Sequence, residues 1–250
     1  MSEWRTPAHL PEIGANEIHV WRASVAELAP FEAAFGALLD QPELERGARF
    51  LHHADRLRYA VSHGLLRTLA GHYLGRAPRG VCFGEGQHGK PHVEGPDKDH
   101  LAFSLSHSGD IVLVAMARGG NVGVDVEAWS QRLDERATER IAESVFSAYE
   151  CAGLKQMAPT ARRAAFYAVW SRKEAYIKAT GSGISRGLAH FDVSTELAAA
   201  RLIADRLGDA GGWALHDLHV GPGYSAAVAI DHVRHEVVTL HATPASCRVE

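Results

Sequence analysis

Cysteine is scarce in this sequence, and its spacing excludes two classes of small, cross-linked domain. The three cysteines, Cys82, Cys151 and Cys247, are odd in number, lie far apart and form no CxxC pair. Disulfide frameworks and zinc ribbons both depend on paired, closely spaced cysteines. We therefore expect free thiols.

Long apolar runs are absent as well. No stretch of about 18 uninterrupted apolar residues occurs, and the N-terminus lacks the basic start and apolar run of a secretory signal. A formal net charge of −4 gives no overall attraction to nucleic acid or to an anionic membrane. We expect a cytoplasmic protein without a nucleic-acid or membrane partner. Its 250 residues, 46% of them hydrophobic, suffice for one large or two small globular units.

Histidine is plentiful but does not follow a zinc-binding pattern. Close pairs occur at His52 and His53, at His88 and His92, and at His216 and His219. None of these pairs supplies four ligands or the HExxH helix of a zinc enzyme. We assign them to surface or turn positions.

The periodicity of the chain predicts helices followed by strands, twice over. Residues 54–75 carry apolar residues at helical spacing and end at Gly75, and further helices are predicted at 133–154 and 162–180. Strand-like runs follow the first helix ("LAFSLS", "DIVLVAMA", "NVGVDVE") and the last ("WALHDLHV", "YSAAVAI"). The second and third runs are predicted to form a hairpin across Arg118-Gly119-Gly120. With the echo of "YAV" in two of the helices, this order indicates a duplication whose seam lies near Asn121.

The stretch "GVDVE" places two carboxylates on one face of a short strand. Side chains alternate between the faces of a strand, so Asp125 and Glu127 project together and could supply two oxygen ligands to one Mg2+. The alternative is the solvated face of a half-buried strand.

The helix "VWSRKEAYIKATGSG" carries a third carboxylate. Glu174 lies four residues after Trp170 and four before Lys178, so the three side chains share a face, with Lys173 beside them. An ordinary surface ion pair is the alternative. Together with Asp125 and Glu127, however, these residues offer what a magnesium-bound diphosphate requires, oxygen ligands for the metal and cations for the phosphate oxygens.

Two further motifs resemble those of phosphate loops and hydrolases but lack residues that these motifs require. "GEGQHGKP" has the spacing of a phosphate loop, but Pro91 stands where Ser or Thr should follow Lys90, and no helix is predicted after it. "FSLSHSG" lacks the GxSxG elbow of a hydrolase, so Ser106 and His107 are either phosphate-contacting donors or a polar turn.

Taken in order, "HGKPHV", "FSLSHSG", "VGVDVE", "VFSAYE" and "WSRKEAYIKATGSGI" resemble the signatures of the Sfp-type 4'-phosphopantetheinyl transferases. The resemblance covers about Arg46 to Val193, and "PGYSAAVAI" is similar to the closing strand of that family. It implies a monomeric, pseudo-twofold α+β fold of two similar halves, each with a long helix on a small antiparallel sheet. The first half, 1–121, would be the coenzyme A nucleotide side, and the second, 122–250, would hold the metal site and dock the carrier protein.

The resemblance also implies ligands and roles. Coenzyme A would be the substrate, bound in the cleft between the halves, with Mg2+, or Mn2+ in its place, on its pyrophosphate. Asp125, Glu127 and Glu174 match the metal ligands. Lys178 matches a cation that assists departure of adenosine 3',5'-bisphosphate, and Glu150 a base or a water-mediated ligand.

The remaining matches concern coenzyme A. Contacts to it are expected from Lys90, Ser106, His107, Lys173 and Lys178. Arg46 and Arg58 fall where the family keeps basic groups for the 3'-phosphate of the nucleotide. Glu43 departs from the pattern, because some members carry a further basic residue there.

The reaction implied is attack by a serine hydroxyl of an apo acyl or peptidyl carrier protein on the β-phosphorus of coenzyme A. Because carrier proteins are acidic around that serine, the basic stretch from Lys155 to Arg186 is the expected docking surface, beside Cys151 and Met157. A solvated helix face is the alternative. The basic residues of the stretch are Lys155, Arg162, Arg163, Arg172, Lys173, Lys178 and Arg186.

Two rival functions stay open at this point. One is another Mg2+-dependent phosphotransferase or hydrolase that acts on a small nucleotide. The other is a non-enzymatic carrier-binding protein, which the presence of all three carboxylates disfavours. The sequence does not say whether the carrier belongs to fatty acid, polyketide, nonribosomal peptide or siderophore assembly.

Overall fold

The computed structural model describes residues 4–86, 88–97, 100–183, 187–231 and 236–247. Over these ranges the protein is a mixed α+β fold that divides into two compact units. The first unit contains the described residues within Met1–Gly86, Pro91–Gly119 and His235–Glu250, and the second those within Gln87–Lys90 and Gly120–Arg234. None of the helices in these ranges combines the length and the apolar character needed to cross a membrane.

The α-helices are, in chain order, α1 (Val25–Leu28), α2 (Glu32–Gly36), α3 (Gln41–Ala48), α4 (His53–Leu74), α5 (Glu135–Val145), α6 (Ala148–Gln156), α7 (Pro159–Thr180) and α8 (Pro244–Cys247). The strands are β1 (Glu17–Ser24), β2 (Phe83–Glu85), β3 (Pro91–Val93), β4 (Ala102–Ser108), β5 (Ile111–Ala117), β6 (Val122–Ala128), β7 (Phe191–Val193), β8 (Leu202–Asp205), β9 (Trp213–Asp217), β10 (Tyr224–Asp231) and β11 (Glu236–His241). α1 to α4, α8, β1 to β5 and β11 lie in the first unit, and the other elements lie in the second.

The first unit is built on a four-stranded sheet in the order β11-β1-β5-β4. β1 pairs antiparallel with β5 but parallel with β11, so this sheet is mixed, whereas the sequence predicted an antiparallel one. Because β11 completes the sheet, Glu236–His241 belongs to the first unit, although its place in the chain predicted the second.

The predicted hairpin between "DIVLVAMA" and "NVGVDVE" is wrong. β5 forms its hairpin with β4 instead, with Ser108 opposite Ile111 and Gly109 at a φ of 58° in the turn. The other edge of β5 is occupied by β1. No edge of β5 is therefore left for β6, which pairs with β10 in the second unit.

The helix predicted at 54–75 is confirmed as α4. Val61, Leu65 and Leu69 are fully buried at helical spacing and lie in the apolar core of the first unit. Gly75 ends the helix in the left-handed region, at a φ of 63°, where glycine has no steric penalty.

The second unit combines α7 with an antiparallel sheet in the order β6-β10-β9. Phe166, Val169 and Ile177 of α7 lie in the core of this unit. The helix begins with Pro159 in its first turn and ends at Gly181, at a φ of 65°. It is as long as α4, at 22 residues.

The helical stretch predicted at 133–154 is two helices. The chain is extended at Phe146, with a ψ of 163°, and Ser147 then caps α6 by accepting a hydrogen bond from the Glu150 amide. Glu150 returns the contact by accepting from the Ser147 amide. Because this reciprocal cap starts a new helix at Ala148, the apolar spacing alone could not show the break.

Candidate active site

The carboxylates of β6 lie on the face that meets α7. Gly123, two residues before Asp125 in the strand, has no side chain, and a Cβ there would overlap the Ala175 carbonyl and the Ala179 amide of α7. The helix can therefore approach β6 closely. Lys178 of α7 donates a hydrogen bond to Asp125 Oδ1 at 2.6 Å, and Asp125 is 3% exposed.

Glu174 completes a group of three charged side chains with Asp125 and Lys178. Burial raises the pKa of Glu174 above its usual range, the nearby charge of Asp125 raises it further, and Lys178 opposes the rise. Two carboxylates are thus held close enough to repel each other, with one ammonium between α7 and β6.

This donor set fits a hard divalent cation. Carboxylate oxygens are the ligands that Mg2+ prefers, and a cation would relieve the repulsion between Asp125 and Glu174. Glu127 lies on the same face of β6, opposite Ser225 of β10, and is half-buried. Within the described ranges, however, no group of three or more His, Cys, Asp and Glu side chains is arranged to hold a metal ion.

Glu150 and Lys173 form an ion pair in the interior of the second unit. Lys173 Nζ donates to Glu150 Oε1 at 2.5 Å and to the Phe191 carbonyl at 2.6 Å, and neither side chain has exposed surface. Glu150 Oε1 also accepts from the Val193 amide. Burial lowers the pKa of Lys173 and raises that of Glu150, and their mutual attraction opposes both changes.

The burial of Glu150 and Lys173 bears on the roles predicted for them, a base and a coenzyme A contact. A base must reach the proton that it removes, and a coenzyme A contact must reach the substrate. In this arrangement the Glu150 carboxylate and the Lys173 ammonium face each other and the ends of α6 and β7. The pair therefore ties α7 to α6 and β7.

Lys90 lies at the C-terminal end of α7. Its ammonium donates to the Ala179 carbonyl at 2.7 Å and to the Val122 carbonyl at 3.4 Å, and its aliphatic chain packs near Gly181. Burial lowers its pKa to about 8, against an opposing effect of Asp231. A cation at this position is favoured by the partial negative charge of the helix end.

Ser106 and His107 follow one another in β4, which is an edge strand of the four-stranded sheet. Ser106 is buried opposite Leu113, whereas His107 is exposed opposite Val112. Adjacent residues of a strand point to opposite faces, so the two side chains serve different surroundings.

The predicted nucleotide-binding arginines are already paired with carboxylates. Arg46 donates to Glu85 at 2.9 Å, and Arg58 donates to Asp55 at 2.8 Å and to the Gly109 carbonyl at 3.0 Å. Glu43, which departs from the family pattern, accepts a hydrogen bond from Arg67 at 2.6 Å.

The expected docking stretch is less basic than its composition predicts. Arg172 is buried and binds both carboxylate oxygens of Asp217, at 2.8 and 2.5 Å, so it and the buried Lys173 are not part of a surface. Arg162 pairs with Glu135 and Glu139 of α5.

Two other members of the stretch are also engaged. Lys155 pairs with Glu143 at 2.8 Å, and Arg163 donates to the Ser130 carbonyl at 2.7 Å. Arg186 lies outside the described residues. The acids that pair with these cations lie outside the stretch, in β6, α5, α6 and β9, so a count limited to the stretch could not include them.

Two residues that shape these sites were missed. Gly123 allows the close approach of α7, and an isolated glycine within a strand pattern is the signal that could have identified it. Arg67 carries no such signal, because its helical position alone does not distinguish a buried arginine from an exposed one.

Comparison with known proteins places both units in one family. Residues 121–229 match the 4'-phosphopantetheinyl transferase superfamily, and residues 19–118 match the N-terminal region of 4'-phosphopantetheinyl transferases. The 4'-phosphopantetheinyl transferase HetI of Nostoc sp. is 30% identical over 217 residues, which span 86% of this chain and 88% of the relative.

Other relatives agree. A phosphopantetheinyl transferase of Thraustochytrium sp. is 32% identical over 75% of this chain and 70% of its own length. A 4'-phosphopantetheinyl transferase of Bacillus subtilis is 32% identical over 63% of this chain and 66% of its own. The family predicted from the five motifs is confirmed: this chain belongs to the Sfp-type 4'-phosphopantetheinyl transferases, enzymes that transfer the phosphopantetheine group of coenzyme A to carrier proteins.

Proposed function

We propose that this enzyme is Mg2+-dependent and releases adenosine 3',5'-bisphosphate, with Asp125, Glu127 and Glu174 as the metal ligands. The observation that carries the proposal is the group on the facing surfaces of β6 and α7, two mutually repelling carboxylates beside the Lys178 ammonium. Such a group is unfavourable without a ligand and is suited to a cation with an attached phosphate. When bound, the metal would supply charge neutralisation for the pyrophosphate oxygens.

Lys178 is the proposed cation for the leaving group. Its side chain is 31% exposed, so the ammonium can bind Asp125 and still turn toward a phosphate oxygen. Phosphoryl transfer depends mainly on positioning and on neutralising charge that develops on the leaving oxygens. The chain itself provides no covalent nucleophile in this scheme, because the carrier serine attacks.

Glu150 and Lys173 act as positioning residues in this proposal. Their burial argues against a direct contact with substrate, and it supports a role in holding α7 at its place against α6 and β7. Glu174 and Lys178 follow Lys173 in the same helix, so a shift of α7 would displace both. The identity of the base thus becomes a separate question from the role of Glu150.

Coenzyme A contacts are proposed for Arg46, Arg58, Lys90, Ser106 and His107. Exposure of His107 supports a direct contact. The Lys90 ammonium is engaged with main-chain carbonyls, which supports an indirect role through the end of α7. Arg46 and Arg58 could reach a phosphate only by exchanging their carboxylate partners.

The proposed docking surface for an acidic carrier consists of Lys155, Arg162 and Arg163, with Cys151 and Met157 beside them. Arg172 and Lys173 are excluded by their burial. Lys155 and Arg162 share their charge with acids of α5, so we expect modest electrostatic steering and a larger share of apolar contact.

We also propose that the two halves arose by duplication and that the enzyme is a cytoplasmic monomer. Two helices of 22 residues, each ended by a left-handed glycine, support the duplication.

The test is direct. The purified chain is incubated with coenzyme A, an apo carrier protein and Mg2+, and the carrier is weighed by intact mass spectrometry while the nucleotide product is identified by chromatography. We expect a carrier heavier by one phosphopantetheine group, release of adenosine 3',5'-bisphosphate, and loss of both products when the metal is chelated. Full transfer in the presence of chelator would contradict the metal dependence. A panel of apo carriers in the same assay identifies the pathway.

A further inference from the structure

A cavity in the first unit has walls of unusual composition for a phosphate-binding site. Its volume is about 290 Å³, close to the lower limit for small-molecule pockets. It is lined by residues of α3, α4, β2, β3 and β4 and the turns beside them. Its aromatic lining consists of Tyr59, His63, Phe83 and Phe103.

The aromatic residues of the wall pack against one another. Tyr59 and His63 are stacked with their ring centres 4.0 Å apart, and Phe83 meets Phe103 edge to face at 5.1 Å. Tyr59 is 5% exposed, and its buried hydroxyl has no hydrogen-bond partner among the described residues. Because water does not reach this hydroxyl, its missing hydrogen bond is a cost to the folded state.

The polar wall is acidic. Glu43 lines the cavity and stays ionised: burial would raise its pKa, but hydrogen bonds from His63 and Arg67 outweigh burial and hold the pKa below its usual range. Asp40 also lines the cavity and accepts from the same Arg67 at 2.5 Å. One buried guanidinium thus faces two carboxylates.

The third carboxylate of the wall, Glu85, is paired with Arg46. Glu85 binds Arg46 at 2.9 Å, and both side chains line the cavity. Asp40, Glu43 and Glu85 carry three negative charges, against two positive charges from Arg46 and Arg67. The wall is therefore net negative, whereas a phosphate monoester brings between one and two further negative charges at neutral pH.

We infer that Glu43 and Glu85 make this enzyme nearly indifferent to the 3'-phosphate of coenzyme A, so that it uses 3'-dephospho-coenzyme A as readily. The inference rests on the proposed function, in which the nucleotide of coenzyme A enters the first unit. An adenine ring suits the cavity because it can pack on the aromatic wall and donate its amine to a carboxylate. A phosphate gains little there, because each candidate cation already holds a carboxylate.

The experiment compares the two donors with the full chain, an apo carrier and Mg2+. The ratio of kcat/KM for coenzyme A to that for 3'-dephospho-coenzyme A should lie within about threefold of one, as expected when an exposed arginine only exchanges one anion for another. A preference for coenzyme A of more than about tenfold would overturn the inference.

Variants identify the residues responsible. Glu85→Gln frees Arg46, and Glu43→Gln removes one charge while keeping the size of the side chain and one of its two acceptor oxygens. Each should raise the ratio by about threefold to tenfold, chiefly through KM for coenzyme A. Glu45→Gln is the matched control, since Glu45 is an exposed carboxylate of α3 that does not line the cavity. An unchanged ratio in both cavity variants would overturn the assignment.

A binding measurement separates this inference from the proposed function. Calorimetric titration of the wild type with adenosine 3',5'-bisphosphate and with adenosine 5'-monophosphate needs no transfer. Similar affinities support the indifference to the 3'-phosphate, and a preference of more than about tenfold for the bisphosphate overturns it. Absence of transfer from either donor would contradict the proposed function alone, and the titration would still decide the selectivity.

Discussion

The two long helices have the same length and the same ending but bury different chemistry. α4 and α7 both span 22 residues and stop at a glycine with φ near 64°, Gly75 at 63° and Gly181 at 65°. Each also buries one arginine completely. Arg67 of α4 binds Asp40 and Glu43, and Arg172 of α7 binds Asp217.

The two helices differ in the residues that follow the buried arginine. Arg172 is followed by the buried Lys173, the half-buried Glu174 and, one turn on, Lys178, each of which faces another charged group. The buried residues around Arg67 in α4 are mainly apolar or small. The buried Arg67 of α4 holds α3 and the turn after α4 in place, whereas α7 also carries Glu174, whose pKa is raised by burial and by the charge of Asp125. We therefore expect function to concentrate around this carboxylate.

The largest effect is expected from Glu174→Gln, which removes the carboxylate that distinguishes α7. Transfer should fall by more than about 10³-fold, because charge stabilisation at the pyrophosphate is lost. The raised pKa means that the ionised carboxyl is less favourable in the folded than in the unfolded state at neutral pH. The midpoint of thermal unfolding without ligand should consequently hold or rise.

Steady-state assays and thermal scans without ligand check both effects. Glu196→Gln, a change of an exposed carboxylate in the second unit, is the control. Undiminished transfer by the Glu174 variant would show that the helix does not present this carboxylate to the substrate.

The next effect is on stability and compares Lys173 of α7 with Arg67 of α4. Lys173→Met leaves Glu150 fully buried and without its ammonium, which should lower the free energy of unfolding by about 3–5 kcal/mol. Arg67→Met should cost less, about 2–3 kcal/mol, because the Asp40 side chain is 42% exposed and water can solvate it.

Urea unfolding of both variants measures the difference. The double variant Glu150→Gln with Lys173→Met should recover part of the loss, since it no longer buries an unpaired charge. Equal losses for the two single variants, with no recovery in the double one, would mean that the two helices bury charge in the same way.

A smaller effect separates Lys178 from Lys173 within α7. Lys178→Met should lower kcat by about 10²-fold with little change in KM, as expected when a cation beside the leaving phosphate is removed. Lys173→Met, by contrast, should affect KM for coenzyme A more, through displacement of the helix. Kinetics with coenzyme A and carrier varied in turn test this, and an unchanged kcat for the Lys178 variant would remove that residue from the leaving-group role.

The smallest effect concerns Lys90 at the end of α7. Its folded pKa of about 8 lies below the unfolded value, so between pH 8 and about 10.4 the unfolded chain binds more protons and the free energy of unfolding rises with pH. Lys90→Met should lack this rise, which is on the order of 1 kcal/mol.

Urea unfolding at pH 7.5, 9 and 10 gives the slope for each protein. Lys155→Met is the control. Glu143 raises the pKa of Lys155, so this lysine keeps its proton over the pH range tested and should not contribute to the slope. A wild-type slope retained by the Lys90 variant would assign the pH dependence to another group.

Local patterns were enough to predict the long elements. Apolar spacing and the closing glycine predicted α4 and α7 to within a few residues, because both signals act within a few turns of helix. The predicted hairpin between β5 and β6 is wrong for a non-local reason. β1, from near the start of the chain, occupies the edge of β5 that β6 would need. The break before α6 was missed because a single cap residue, Ser147, overrides the spacing.

The sequence by itself determined the family and the residue types of the site, since the motifs around Lys90, His107, Asp125 and Glu174 are contiguous and their order is specific. Only the tertiary structure decided which charges are compensated. Arg172 finds Asp217, Lys173 finds Glu150, and Glu43 finds Arg67, each across 23 or more positions of chain. The field at a side chain depends on distance in space and on exclusion of water, and neither quantity is encoded in the spacing of a motif.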